Sequence, residues 1–113
     1  MAMNESPLFS RAYDLLREAC KQSERMPRSR RAVLGRRMEE AAFDVHEAIT
    51  GATQAKDPLE SLRVADLALA RWRICLRLGV DLALFTEGRA TELMTLTAEA
   101  GRLLGGWRKK LAR

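Results

Sequence analysis

The residues of this sequence with the clearest chemical capacity are arginines. Six of them, Arg25, Arg28, Arg30, Arg31, Arg36 and Arg37, fall in one short stretch that contains no acid. A guanidinium is permanently charged, and its planar fork of donors matches phosphate and carboxylate oxygens two at a time. Clustered like charges repel one another, and positive charge at a helix start opposes the helix dipole. The cluster therefore predicts an external polyanion such as RNA or DNA, which gains most through counterion release. Arg71, Arg73 and Arg77 form a second group, and the chain closes on Arg102, Arg108, Lys109, Lys110 and Arg113, again without an acid. The competing reading is a solvated face, with Arg108, Lys109 and Lys110 complementing the negative end of a helix dipole. Contacts of this kind track a backbone and carry no base preference.

Other chemistry is hard to assemble from these residues. With one histidine, His46, there is no His-rich metal site and no nucleophile-histidine-acid set to nominate, and no glycine-rich loop follows a strand. Glu40, Asp44 and Glu47 stand near His46, but no Glu-x-x-His pair recurs on two helices as a di-metal bundle requires. We therefore expect a protein that is not an enzyme and takes no cofactor or metal. Cys20 and Cys75 lie far apart with no metal-ligand spacing, and are expected to be buried, reduced thiols.

The elements that must position the arginines follow from the pattern. The chain has 113 residues, 47% hydrophobic and 31% charged, with three prolines and 5% aromatics, a composition favouring one helical domain over a sheet or a disordered chain. Arginine supplies 16 of the 20 basic residues, and the net charge is +5. No stretch approaches the roughly 20 apolar residues needed to cross a bilayer. Glu5, Arg11, Asp14, Arg17 and Glu18 make the first positions unlike a signal peptide, so a cytoplasmic protein without a membrane association is expected.

Four amphipathic segments are predicted, over about 7–23, 29–55, 58–84 and 87–110. Ser6-Pro7 starts the first, and Pro27 separates it from the second, whose stripe runs Leu34, Met38, Ala41, Val45, Ile49, Ala52. Asp57-Pro58 starts the third. That helix carries two apolar faces, one with Leu62, Ala65, Leu69, Trp72, Leu76 and Ala83, the other with Val64, Leu67, Ile74, Leu78 and Leu82. Burial on two sides fits either a helix central to its own bundle or one that also meets a neighbouring subunit. The fourth carries Ala90, Leu93, Thr97, Ala100, Leu104 and Trp107. Gly35, Gly51, Gly79 and Gly101, inside helical patterns, are expected at close helix approaches, and Gly105-Gly106 is expected to loosen the last turns. Short connections imply an antiparallel up-down-up-down four-helix bundle. In that arrangement the start of the second helix lies level with the latter half of the third. The clusters Arg28, Arg30, Arg31, Arg36, Arg37 and Arg71, Arg73, Arg77 would then share one end, and Arg108, Lys109 and Lys110 would lie toward the other.

Three stretches carry a family resemblance: Pro27-Arg28-Ser29-Arg30-Arg31 with Leu34-Gly35-Arg36-Arg37; Leu69-Ala70-Arg71-Trp72-Arg73 with Leu76-Arg77; and Glu99-Ala100-Gly101-Arg102-Leu103-Leu104-Gly105-Gly106-Trp107. Over about residues 26–110 the chain resembles the four-helix-bundle family that includes the accessory variability determinant of diversity-generating retroelements and the proteins encoded in ribosomal RNA intervening sequences. The resemblance implies a ring-like homopentamer with a basic surface. It also implies association with the retroelement's reverse transcriptase and template RNA or DNA, in support of adenine-directed, mutagenic reverse transcription. Two alternatives stay open at this point: an intervening-sequence protein of the same fold, and a helical scaffold whose basic surface binds an acidic protein.

Overall fold

The computed structural model describes residues 6–112, and among these residues there are helices and no strand. The first helix, α1, is Pro7–Arg25; the Ser6 hydroxyl accepts from the Phe9 N–H at 3.3 Å and Pro7 occupies the first turn, where its missing N–H costs nothing. It stops at Met26, which is extended (φ −73°, ψ 147°) as a residue before proline must be. The second helical run, α2, is built from a short turn Arg28–Arg30, a wide π turn Arg31–Gly35 and the helix Arg36–Ala52. Asp57 caps the third helix, α3 (Pro58–Asp81), accepting from the Leu59 N–H at 3.2 Å. Thr86 does the same for the fourth, α4 (Glu87–Leu111), accepting from the Arg89 N–H at 3.1 Å.

Two helix ends come earlier than the apolar pattern predicts. The second helix ends at Ala52 rather than Ala55, where the Thr53 hydroxyl donates to the Thr50 carbonyl at 2.6 Å and competes for the end of the ladder. The third ends at Asp81 rather than Leu84. There Ala83 takes a left-handed conformation (φ 56°), its N–H bonds to the Val80 carbonyl, and the Leu84 N–H reaches back to Gly79. This is a Schellman closure with alanine where glycine is usual. Ala83 therefore lies outside the core stripe assigned to it, and it is exposed.

One core joins the four helices. It takes Leu8, Ala12 and Leu15 from α1, Met38, Val45 and Ile49 from α2, Leu62, Leu69 and Trp72 from α3, and Leu93 and Leu104 from α4. α1 packs on α2 and α4, and α3 packs on the same two. Cross-helix contacts set the register: Asp44 with Arg71 at 2.9 Å, Asp66 with Arg108 at 3.1 Å, Glu18 with Arg89 at 3.5 Å and Arg11 with Glu99 at 3.7 Å. At the centre, the fully buried Trp72 indole N–H donates to the Thr97 hydroxyl at 2.8 Å, and that hydroxyl donates in turn to the Leu93 carbonyl at 2.7 Å.

The second apolar face of α3 is not covered by the chain's own helices. Leu67 is 50% exposed and Ile74 65%, and Val64, Leu78 and Leu82 are also exposed. The third helix is thus packed on one face only within the chain, and the reading of it as a helix central to its own bundle is set aside.

Candidate nucleic-acid interface

The arginine-rich stretch enters α2 through the π turn, in which the Arg36 N–H bonds to the Arg31 carbonyl five residues back. Such turns are rare and recur at functional sites. Close packing accompanies it: Gly35 is buried, and a Cβ there would lie 2.6 Å from the Ser23 hydroxyl of α1. Arg28, Arg30, Arg31, Arg36 and Arg37 are all exposed. Arg31 donates to the Met26 carbonyl at 3.5 Å, a long bond at the end of α1, and Arg36 pairs with Glu40 at 3.4 Å. Arg28, Arg30 and Arg37 have no ion pair among the described residues.

The α3 arginines do not join this cluster as one patch. Successive helical residues are separated by about 100°, so Arg71 and Arg73 point to opposite flanks of the same helix. Arg71 faces α2, where it pairs with Asp44. With Arg37, Val33, Ile74, Cys75 and Leu78 it lines a groove of about 460 Å³ between α2 and α3. Arg73 and Arg77 line a different groove, between α3 and α4. The positive charge is therefore divided over an end and two grooves, and its members differ in how far local acids neutralise them.

At the other terminus Arg108 pairs with Asp66, and the Lys110 ammonium sits over the Trp107 ring, 5.5 Å from its centroid. Lys109 is exposed without an ion pair among the described residues, and Arg113 lies outside them. Gly105 and Gly106 do not interrupt α4, which runs on to Leu111. Gly51 is no close approach either, because a Cβ there would have only the Ser61 hydroxyl near, at 3.9 Å. The second apolar face of α3 was readable from its periodicity, but its exposure was not. Nor were the acids that neutralise Arg71 and Arg108, since each lies on another helix, whereas Glu40 follows Arg36 by one helical turn.

Both cysteines are free thiols, and neither is buried as expected, Cys20 being exposed and Cys75 half-buried. Burial pushes both thiols up, Cys75 against the opposing pull of Arg37 and Arg71, Cys20 with added repulsion from Glu39 and Glu24. His46 is half-buried and packs on Phe9, ring centroids 5.0 Å apart, and on Tyr13 at 6.3 Å. Among the described residues no group of three or more His, Cys, Asp or Glu side chains is placed to hold a metal, and no helix is long and apolar enough to cross a membrane.

Compared with known proteins, the chain matches one family model, described as bAvd-like, over residues 8–111. No curated protein and no solved structure matches it.

Proposed function

The chain belongs to the bAvd-like family, that of the bacterial accessory variability determinant, and from that membership we propose that it is the accessory subunit of a diversity-generating retroelement. The observation that carries this reading is the extent of the match, from Leu8 in the first helix to Leu111 in the last. In this role the protein is a single non-catalytic domain. It works in the cytoplasm, binds template RNA or DNA without sequence preference, and holds the reverse transcriptase that performs the chemistry. Arg28, Arg30 and Arg37, which make no ion pair among the described residues, support the electrostatic part of the reading, because an arginine already paired gives up that partner to meet a phosphate.

The architecture we propose is an antiparallel up-down-up-down bundle assembled into a ring-like homopentamer. Support for the topology comes from the contacts, which pair Ser23 with Gly35, Asp44 with Arg71, and Asp66 with Arg108. Support for assembly comes from exposed apolar residues on one side of the bundle, Val33, Ile74 and Leu78 lining one groove and Leu67 on the same helix as the last two, which a neighbouring subunit would cover.

The test replaces Arg30, Arg31, Arg36 and Arg37 with glutamine and follows RNA and DNA binding through a salt series. A purified reverse transcriptase is captured in parallel. The parent should bind tightly at low salt and weaken by orders of magnitude between about 50 and 200 mM. The variant should bind more weakly and with a shallower salt slope, at unchanged helicity. Full affinity with an unchanged slope would refute this end as the binding surface, and failure of the parent to bind either partner would refute the function.

A further inference from the structure

The groove between α3 and α4 differs from its counterpart between α2 and α3 in the state of its charges. The α2/α3 groove contains Glu40 and Asp44 with its arginines, and Arg71 is already paired there. In the α3/α4 groove Arg73 and Arg77 stand one helical turn apart, both exposed, with no ion pair among the described residues. The Arg73 guanidinium lies against Gly101 of α4, where a Cβ would collide with its Nη2. Glycine at that position thus leaves a notch for the guanidinium against α4.

Between and below these two cations the surface is apolar. Leu76, Val80, Met94 and Ala98 line it, Met94 is 48% exposed, and the groove holds about 540 Å³. Thr97, also in the lining, has its hydroxyl committed to Trp72 and Leu93. A duplex keeps its bases stacked and its backbone stiff, so it has no base to lay on this floor and cannot bend into the groove to reach both arginines. A single strand can place a phosphate on each guanidinium and turn an unstacked base onto the apolar floor. Asp81, at one end of the groove, repels phosphate and so favours a strand whose backbone enters on the Arg73 side.

We infer that the Arg73–Arg77 groove is a binding site for single-stranded nucleic acid, two phosphates on the arginines and a base against Met94. This inference rests on the nucleic-acid reading above and assigns a surface and a strand form within it.

The test uses fluorescence anisotropy of the full chain with a labelled oligouridylate of about 20 nucleotides, longer than a typical single-domain site, and with an RNA duplex of equal length. Arg73→Gln with Arg77→Gln should weaken single-strand binding on the order of tenfold and reduce the salt slope by about 1.4, two phosphate contacts' worth. The duplex should lose much less. Met94→Gln, which keeps both arginines and adds no charge, should reproduce the selective loss, with circular dichroism showing an unchanged fold in both variants. An unchanged single-strand affinity, or an equal loss for both nucleic acids, overturns the groove assignment while leaving the nucleic-acid reading in place. A parent protein that binds neither nucleic acid overturns both.

Discussion

Replacing Thr97 with valine tests the polar contact at the centre of the core. Valine fills nearly the same volume and has a similar helix propensity, so the change opens no cavity and costs the helix little. It removes the only acceptor among the described residues for the Trp72 indole N–H, which is fully buried, and leaves that donor unpaired away from water. An orphaned buried donor costs about 1–3 kcal/mol. Against a total stability of roughly 5–15 kcal/mol for a domain of this size, the loss is readily seen. Urea denaturation at fixed protein concentration measures it, and the slope should stay unchanged because the surface exposed on unfolding is the same. The decisive control is the same substitution in a Trp72→Phe background. Phenylalanine has no N–H to orphan, so Thr97→Val should there cost only a few tenths of a kcal/mol, and the two changes should be strongly non-additive. An equal cost in both backgrounds would refute the hydrogen bond as the source and point to packing around Thr97.

Ala83→Gly should stabilise the protein by about 0.5–1 kcal/mol in the same assay, because glycine carries no Cβ penalty at φ 56°; a loss would mean that the alanine methyl contributes packing. Ile74→Glu places a charge on the exposed face of α3, where it disturbs no core contact, and should convert an assembled protein to monomers by light scattering at unchanged helicity. A parent that is itself monomeric at micromolar concentration would remove the ring and leave this face for another partner.

Much of the helical framework was legible in the residues. Ser6-Pro7, Asp57-Pro58 and Thr86 mark helix starts through side chains that accept the first free N–H groups, and such caps are local in sequence. The core stripe of Leu62, Leu69, Trp72 and Leu76 was equally visible, because helical periodicity sorts residues by face before any partner is known. The early ends of α2 and α3 were not, since they depend on the Thr53 hydroxyl and on the Schellman closure at Ala83, neither of which interrupts the apolar pattern.

The candidate site divides in the same way. Composition and clustering by themselves determined that the protein is basic and that its arginines gather at the start of the second helix. Periodicity gave the third helix two apolar faces, and only the packing showed that the second is left uncovered. Only the tertiary structure decided which charges remain available. Asp44 is 27 residues from Arg71, and Asp66 lies on a different helix from Arg108, so those neutralising pairs exist only once the helices are packed in register. Packing likewise put Arg71 and Arg73 into different grooves and laid Arg73 over Gly101. A charge count along the chain sums every arginine alike, whereas the force on a phosphate depends on distance and on the nearest opposite charge, and both are set by the fold.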